Sequence, residues 1–468
     1  MADAPTNAVR DEALERYLDE TAERRLETYK ALLRIPSISG IPAHAKDCQA
    51  AAEFIAADLT RAGMENVEVS PTGGHPVVYA DWLHAPGKPT VLVYAHYDVQ
   101  PVDPVDLWEA APFEPIVKDG KMLARGSSDC KCHIAMHTRT IEALLATRKS
   151  LPVNLKLVFE GEEESSSVHL DAWLEANKDR MKSDFAVISD TSFFEGNLPA
   201  ITVALRGLMY IQLDVFGSRL DLHSGVYGGA VDNPINALCQ IVAALKSPDG
   251  RIQVPGFYDD VVPLTALDKK SLADLPFDEE EYVAGIGVTE LMGEPGFTTL
   301  ERLGARPTLD VNGIWGGFEG EGPKTIIPAH AHAKISCRLV ADQDPEKIFG
   351  LVAAHIARVA PSSVRYSIQR LGDGKPSLTP IDNPATQAAA RALEATFGKP
   401  PLYIREGGSV PVCASFESIL GLKTVLLGFA PADGRFHAPN EWMWMSNYET
   451  GIRTIARYWS EIAELDHL

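Results

Sequence analysis

The feature that most constrains the fold is an alternation of short apolar runs with amphipathic helical patterns along much of the chain. Apolar runs typical of buried strands occur at residues 90–95, 153–159, 185–189 and 424–429. Patterns with helical spacing lie between or after these runs, at about 131–146, 167–178, 384–397 and 446–463. This alternation predicts an α/β fold in which a mostly parallel sheet is covered by helices on both faces.

The middle of the chain has a different pattern. Two stretches alternate polar and apolar residues, MYIQLDVFG and AHAKISCRLV, and helical patterns follow them near 234–245 and 345–359. The intervening region 250–325 is rich in Pro, Gly and acidic residues, which indicates irregular structure. Alternating strands are typical of a sheet with one exposed face, so we predict a smaller inserted α+β domain. The predicted boundaries are 206–374 for the inserted domain, and 1–205 and 375–468 for the larger one.

The charge balance excludes several classes of function. The chain has 43 Lys and Arg against 64 Asp and Glu, a formal net charge of −21. Such a chain repels phosphate backbones and anionic membranes, so we expect neither nucleic-acid nor membrane partners. No apolar run approaches the roughly 18 residues of a membrane span, and no signal peptide is visible. Six cysteines are too few for a disulfide scaffold, which indicates reduced thiols in a cytoplasmic protein.

Residues of the types that bind metals follow the predicted strands. They are His96 and Asp98 after the first strand, the acidic run Glu160–Glu164 after the second, Asp190 after the third, and His437 beyond the fourth. Asp129 stands just before a predicted helix. Each has a commoner explanation alone, such as a solvated helix start, a helix cap or a surface histidine. Together they indicate a metal site, because ligands bind beyond the carboxyl ends of parallel strands.

The composition of this set indicates its chemistry. Two histidines with three or more carboxylates suit Zn²⁺, Mn²⁺ or Co²⁺ and require no thiolate. Five candidates exceed one tetrahedral site, but they fit two ions that share a bridging carboxylate. Two such ions, about 3.5–4 Å apart, lower the pKa of a water molecule and stabilise an oxyanion. A spare glutamate beside a ligand glutamate then serves as general base, so the set predicts metal-assisted hydrolysis.

Several motifs closely resemble those of the M20 family of di-zinc metallopeptidases, and in particular its cytosolic non-specific dipeptidase (carnosine dipeptidase-like) branch. They are AHYDVQPVDPVDLWEAAPFEP, ARGSSDCK, FEGEEE, ISDT, DLHSGVYGG and REGGSVPV, followed by the late His437. The resemblance covers nearly the whole chain in the same order. It implies a catalytic domain interrupted by a lid and dimerisation domain, and hydrolysis of the peptide bond of dipeptides or short peptides.

The resemblance also implies a role for each metal ligand. His96, Asp129 and Asp190 match the residues that hold one metal. Asp129, Glu164 and His437 match those that hold the other, so Asp129 is the bridging carboxylate. Two divalent ions per subunit are therefore expected, with zinc as the leading choice and manganese or cobalt as alternatives.

Two acidic residues match family positions beside the metals. Asp98 matches the aspartate that holds the imidazole of His96, an outer contact that metal-bound histidines generally need. Glu163 matches the general base, which takes a proton from the water between the metals and passes it to the leaving amine.

The remaining matched residues are expected to contact the substrate. His223 matches a histidine that reaches into the partner subunit's site and stabilises the oxyanion, which implies a homodimer. Arg338 matches an arginine that binds the terminal carboxylate of a small peptide substrate, a task that suits a guanidinium fork. Thr325, Gly408 and Ser409 match positions that line the substrate site.

The chain departs from the family pattern beside the bridging position, where it has Asp129-Cys130-Lys131-Cys132. The two cysteines either compete for metal and oxidise or, as is commoner, are buried small hydrophobes, like the other four cysteines. The peptide after the bridging aspartate is often cis in the family, so a cis bond is expected here. The pairs His133 with His137 and His330 with His332 are interpreted as structural.

Two alternative functions share parts of this pattern. An amidohydrolase of N-acyl or N-carbamoyl amino acids would use every metal ligand named above. A metal-independent, thiol-based binding protein would instead use the cysteines that follow Asp129. The complete ligand set argues against the thiol-based protein, and the amidohydrolase stays open as the alternative.

Overall fold

The computed structural model describes residues 11–408 and 411–465. The chain divides into two compact units, which we call the larger unit and the smaller unit. The larger unit comprises Met1–Val203, Thr379–Ile404 and Pro411–Leu468, and the smaller unit comprises Ala204–Leu378 and Arg405–Val410.

The first part of the chain alternates helices and strands. In order these are α1 (Glu12–Glu20), α2 (Ala22–Leu33), α3 (Ala45–Ala62), β1 (Glu65–Ser70), β2 (Val77–Trp82), β3 (Thr90–His96), β4 (Ile116–Lys118), β5 (Lys121–Leu123), α4 (Lys131–Arg148), β6 (Asn154–Glu160), α5 (Leu170–Ala176), β7 (Phe185–Ile188) and β8 (Ala200–Leu205). Short 3₁₀ helices cover Pro42–His44, Val105–Leu107, Glu163–Ser165 and Glu195–Asn197.

The middle part forms the elements of the smaller unit. These are β9 (Gly207–Phe216), β10 (Leu222–His223), α6 (Ser224–Tyr227), α7 (Pro234–Leu245), α8 (Ala266–Ala273), α9 (Glu279–Ile286), α10 (Thr299–Ala305), β11 (Thr308–Gly316), β12 (Ile326–Ile327), β13 (His330–Leu339), α11 (Pro345–Val359), β14 (Arg365–Gly374) and β15 (Ser377–Leu378).

The last part returns to the larger unit. Its elements are α12 (Pro384–Phe397), β16 (Leu402–Glu406), α13 (Pro411–Ser415), a π-helical turn (Phe416–Leu420), β17 (Thr424–Leu426), β18 (Trp442–Trp444) and α14 (Met445–Ala463). No helix in the described ranges 11–408 and 411–465 is long and apolar enough to cross a membrane.

The larger unit is built on one mixed sheet with the strand order β1-β2-β6-β3-β7-β17-β8. Its central strands β6, β3, β7 and β17 run parallel, whereas β1, β2 and β8 pair antiparallel at the two sides. The predicted α/β class with a mostly parallel sheet is therefore confirmed. Because the central strands are parallel, their carboxyl ends meet at one edge of the sheet.

The central strands are buried on both faces, as their continuous apolar sequences predict. In β3, Val91, Val93 and Ala95 belong to the core that also includes residues of α3, α4, α12 and α14. The intervening side chains point to the opposite face, where the ring of Tyr94 contacts Phe416 edge-on at 5.8 Å between centroids. Side chains of the flanking elements therefore cover both faces of the sheet.

The smaller unit contains an antiparallel sheet of strand order β11-β13-β9-β14. Every second residue of β9 and β13 is buried in a core shared with α7 and α11. The alternation predicted for MYIQLDVFG and AHAKISCRLV is thus confirmed, as are the helices near 234–245 and 345–359. One face of this sheet packs on the helices, and the side chains of the other face are more exposed.

The region 250–325 is more ordered than its composition indicated. It contains α8, α9, α10 and the edge strand β11. The register of β11 against β13 shifts between Val311 and Gly313, and the exposed side chains of β11 do not alternate with buried ones. A strand with a bulge and without period-two alternation is not recognisable from hydropathy.

Candidate metal centre

Parallel strands bring the candidate ligands to one edge of the larger unit. His96 is the last residue of β3, and Glu160 is the last residue of the neighbouring strand β6. Glu163 and Glu164 follow in a short 3₁₀ helix, and Asp190 stands two residues beyond β7. The structure thus places the candidate ligands at or just beyond the ends of neighbouring strands, where the sequence pattern predicts them.

Asp129 lies between the two histidines. Its Oδ1 is 3.0 Å from Nε2 of His96, and its Oδ2 is 3.0 Å from Nε2 of His437. Oδ1 of Asp190 lies 3.6 Å from Nε2 of His96, and Oε2 of Glu164 lies 3.2 Å from Nε2 of His437. Each imidazole therefore faces one oxygen of Asp129 and one further carboxylate.

These distances fit two ions that share one carboxylate. Two atoms that each lie 2.0–2.1 Å from a tetrahedral ion are about 3.3 Å apart. The distances of 3.0–3.6 Å between the facing donor atoms bracket that separation. Two potential ligand groups result, one of Asp129, Glu164 and His437, and one of His96 and Asp190 with the thiol of Cys130. The site thus provides donors for two divalent ions.

A contact with the Asp98 backbone determines which nitrogen of the His96 ring holds a proton. Its Nδ1 lies 3.1 Å from the carbonyl oxygen of Asp98 and 3.4 Å from the Asp98 carboxylate. A proton on Nδ1 is held there, so that loss of the proton on Nε2 leaves a lone pair facing Asp129 and Asp190. This is the tautomer that metal binding through Nε2 requires.

The charges in the site couple metal binding to proton release. Hydrogen bonds to Asp129 and Glu164 raise the pKa of His437 to about 10. Burial lowers the pKa of His96, but the Asp190 carboxylate and the hydrogen bond to Asp129 overcome it and raise that pKa well above its usual value. Burial raises the pKa of Asp129, and hydrogen bonds from both histidines more than offset it, so that it lies below its usual range. Divalent ions must displace protons from these imidazoles, so they bind more weakly as the pH falls.

Glu163 has the environment of a proton-accepting group. Burial raises its pKa to about 9, and the carboxylates of Asp190 and Glu164 act in the same direction. Cations at the neighbouring ligands oppose this repulsion and lower the pKa. The carboxylate of Glu163 can therefore act as a base when metal ions occupy the site.

Asp98 contacts both the His96 ring and the backbone of Glu163. Its carboxylate accepts hydrogen bonds from Ser39 Oγ at 2.6 Å, from the Glu164 backbone N–H at 3.0 Å and from that of Glu163 at 3.3 Å. Asp98 is completely buried. Besides its contact with His96, it thus fixes the backbone of Glu163 and Glu164.

Glu441 is a second buried carboxylate with such a role, and it was not predicted from the sequence. It pairs with Arg125 at 2.9 Å and accepts hydrogen bonds from the backbone N–H groups of Gly126, Ser128 and Asp129 at 2.8–3.0 Å. It thereby holds the loop that presents Asp129. The available signal was an acidic residue next to tryptophan, four positions after the predicted histidine ligand.

The cysteines beside Asp129 are buried, and burial raises the pKa of both thiols well above the usual value. The peptide bond between Asp129 and Cys130 is cis, as the resemblance implied. Nδ1 of His133 lies 3.4 Å from Sγ of Cys130 and of Cys132, and its Nε2 accepts a hydrogen bond from the Phe429 backbone. Such protonated, buried thiols argue against the thiol-based alternative.

One prediction about the cysteines was wrong. Cys239 is exposed, whereas the other five cysteines are buried. It lies on α7, and its neighbour Leu238 on that helix is completely buried. Helical spacing thus places the thiol outside the stripe that packs on the sheet.

The substrate residues predicted from the resemblance belong to the smaller unit. His223 ends β10, is exposed, and accepts a hydrogen bond from the Gly225 backbone through Nδ1 at 3.0 Å. Thr325 lies beside it, because its carbonyl oxygen accepts a hydrogen bond from the Ser224 N–H. Arg338 lies on β13.

The other two predicted substrate residues, Gly408 and Ser409, fall in one glycine-rich segment. Gly408 is exposed, whereas Ser409 lies outside the described residues. The structure therefore brings together all predicted metal ligands with Glu163 and Asp98 in the larger unit, and it places the described substrate candidates in the smaller one.

An α/β unit that presents a histidine and carboxylate set for two divalent ions defines a dinuclear metallohydrolase. The family model described as "Peptidase family M20/M25/M40" matches residues 92–461, and the chain belongs to this family. The family assignment made from the motifs is thus confirmed.

Relatives and a solved structure agree with this assignment. The chain is 32% identical to the Cys-Gly metallodipeptidase DUG1 of Candida albicans, over 94% of this chain and 95% of that protein. It is 34% identical to the human Beta-Ala-His dipeptidase, over 83% of this chain and 78% of that protein. The structure of an M20 family metallo-carboxypeptidase from Sulfolobus solfataricus matches with a TM-score of 0.79 at 32% identity, over 94% of this chain and 99% of that one.

Proposed function

We propose that this protein hydrolyses the peptide bond of dipeptides or short peptides at a centre that binds two zinc ions. The observation that carries the proposal is the position of Asp129, whose two carboxylate oxygens each lie 3.0 Å from a different histidine. The names of the relatives, which include two dipeptidases, support small peptides as the substrate class.

Five residues would hold the ions. One set is His96, Asp129 and Asp190, and the other is Asp129, Glu164 and His437. When bound, two divalent ions supply a water of lowered pKa and stabilise negative charge on the oxygen of the scissile carbonyl. Zinc is proposed because imidazole and carboxylate donors with short mutual distances suit it, and manganese and cobalt are the alternatives to test.

Glu163 is proposed as the general base. It takes a proton from the attacking water and passes it to the nitrogen of the leaving amine. Asp98 supports this step, because it binds the backbone N–H groups of Glu163 and Glu164.

We propose that residues 1–205 and 375–468 form the catalytic domain and that 206–374 form a lid and dimerisation domain. Arg338 would bind the terminal carboxylate of the substrate. In support, Arg338 forms no ion pair with any carboxylate of residues 11–408 or 411–465, so its guanidinium is available to a ligand.

Further substrate contacts are proposed for the smaller unit. His223 would stabilise the oxyanion in the site of a partner subunit, so the active protein would be a homodimer. Thr325, Gly408 and Ser409 would line the substrate site. A monomeric molar mass in light scattering, measured on fully active protein, would contradict the dimer.

We propose a cytoplasmic location. All six cysteines are free, and five of them are buried thiols that suit a reducing compartment. Fractionation of cells that produce the protein tests this placement, and recovery outside the cytoplasm would contradict it.

The experiment that tests the chemistry is the Glu163→Gln substitution. The variant should keep two metal ions per chain but lose about 10²–10⁴-fold in kcat, because it lacks the proton-accepting carboxylate. Glu195→Gln is the matched control, since Glu195 is exposed in the same unit. Full activity in Glu163→Gln would overturn the proposed base.

A substrate comparison separates the peptidase from the amidohydrolase. Free dipeptides should be hydrolysed, and the matching N-acetyl and N-carbamoyl amino acids should not. Faster turnover of the N-acylated compounds would assign the same metal centre to the alternative reaction.

A further inference from the structure

Two histidines of the smaller unit face each other on strand β13. Nε2 of His332 lies 2.9 Å from Nδ1 of His330. The two residues are separated by one position, so their side chains leave the strand on the same face. On the adjacent strand β9, Asp214 stands directly opposite His332.

The orientation of His332 is fixed from its other side. Its Nδ1 lies 2.6 Å from Oδ1 of Asp214, and that oxygen also accepts a hydrogen bond from Gln212 at 2.8 Å. The imidazole stacks on the indole of Trp315, with centroids 5.0 Å apart and planes inclined by 19°. His332 is thus held by a carboxylate and an aromatic ring in one orientation and tautomer.

This tautomer exposes a lone pair. Because Nδ1–H of His332 donates to Asp214, the lone pair of Nε2 is directed at His330. A carboxylate behind one nitrogen of an imidazole, with the lone pair on the other nitrogen, is the outer contact that metal-ligating histidines have. His330 is exposed, so a solute can reach the space beside both nitrogens.

We propose that His330 and His332 form a binding site for a divalent transition-metal ion, with Cu²⁺ as the best match and Ni²⁺ next. Two nitrogens that bind one ion at 2.0–2.1 Å with a right angle between them are about 2.9 Å apart, whereas a tetrahedral ion requires about 3.3 Å. The observed separation of 2.9 Å is that of a hydrogen bond between the rings, and it also equals the separation of two adjacent positions of a tetragonal ion. Water molecules would complete the coordination.

Binding requires the hydrogen bond between the two rings to break, a proton of His330 to move, and the exposed His330 ring to turn so that both nitrogens face the ion. In the metal-free pair, the hydrogen between the rings belongs to Nδ1 of His330, since Nε2 of His332 accepts. The neutral His330 ring must move this hydrogen to its own Nε2, and Nδ1 is then free to bind the ion. Asp214 keeps its bond to His332 throughout, and its negative charge favours a cation on the far side of that ring.

The test uses the protein loaded with zinc, which gives no electron paramagnetic resonance signal. Cu²⁺ is titrated into it, and both the binding isotherm and the spectrum are recorded. We expect one additional Cu²⁺ per chain, with hyperfine structure from two imidazole nitrogens. His330→Ala should weaken this binding at least about tenfold without disturbing the fold, because His330 is exposed.

Two further variants make the result specific. Asp214→Asn should weaken Cu²⁺ binding by about 10–100-fold, because it removes the carboxylate behind His332. His84→Ala should bind as the unaltered protein does; His84 is also exposed and pairs with a carboxylate, Glu65. Unchanged affinity and spectrum in His330→Ala, or a signal from fewer than two imidazole nitrogens in the unaltered protein, would overturn the proposal.

Discussion

The two units use their sheets in opposite ways. In the larger unit, the central strands are buried on both faces, and the chemistry lies beyond their carboxyl ends. In the smaller unit, one face of the antiparallel sheet packs on helices, and the other carries polar and aromatic side chains such as His332 and Trp315. Buried strands can hold ligands rigidly at their ends, whereas a half-exposed sheet offers its own face for binding.

The difference extends to the charged groups. The larger unit keeps acidic residues such as Asp98 and Glu441 completely buried, and each of them is held by backbone N–H groups near the proposed metal ligands. On the sheet of the smaller unit, Asp214 remains partly exposed. Substitutions around the metal centre should therefore reduce activity and the free energy of unfolding far more than substitutions on the open sheet face.

The largest expected effect comes from the bridging carboxylate. Asp129→Ala should lose both ions, whereas His437→Ala should lose one, because only Asp129 contacts both histidines among the proposed ligands. Loss of metal removes several kcal/mol of transition-state stabilisation, so activity should fall on the order of a thousandfold. Metal content per chain and kcat/KM check this expectation. Two ions retained in Asp129→Ala would show that Asp129 does not bridge.

The buried ion pair behind Asp129 should be the next most sensitive feature. Glu441→Gln leaves Arg125 as an uncompensated buried charge and should reduce the free energy of unfolding by about 3–5 kcal/mol. Glu417→Gln removes an exposed partner of Lys423 and should change the free energy of unfolding by at most about 1 kcal/mol. Urea unfolding of both variants measures the contrast, and equal losses would contradict it.

Truncation of apolar side chains compares the two sheets directly. Leu157→Ala on β6 should cost about 2–5 kcal/mol in unfolding free energy, because Leu157 is completely buried. Ile314→Ala on β11 should change it by no more than about 0.5 kcal/mol, since its side chain is 51% exposed. A large loss at Ile314 in denaturant melts would mean that this side chain is covered in solution.

A buried histidine of the larger unit should make stability depend on pH. Burial lowers the pKa of His137 to about 3, whereas in the unfolded chain it is about 6.5. Between these values the unfolded chain binds a proton that the folded chain does not, so stability falls as the pH falls through this window.

The expected slope is about 1.4 kcal/mol per pH unit from this one residue. Unfolding free energies between pH 6 and 4 should therefore show a shallower slope in His137→Gln than in the unaltered protein. His84→Gln, at an exposed position, should keep the original slope. Identical slopes in all three proteins would mean that His137 is accessible to protons in the folded state.

Local patterns predicted the ligands and the strands that carry them. Residues such as His96 and Asp190 stand next to continuous apolar runs, so their position at a sheet edge follows from the strand alone. The role of Glu441 could not be predicted, because its partners lie more than 300 residues earlier in the chain. The edge strand β11 was missed because a bulge and exposed side chains remove its alternation.

The central claim is that two divalent ions at the shared carboxylate of Asp129 are needed for peptide hydrolysis. The most direct test removes the metal with a chelator and returns Zn²⁺ stepwise while the hydrolysis of a free dipeptide is measured. Activity should vanish on chelation and rise to a plateau at two ions per chain. Full activity in the chelated protein, or a plateau at one ion per chain, would contradict the account.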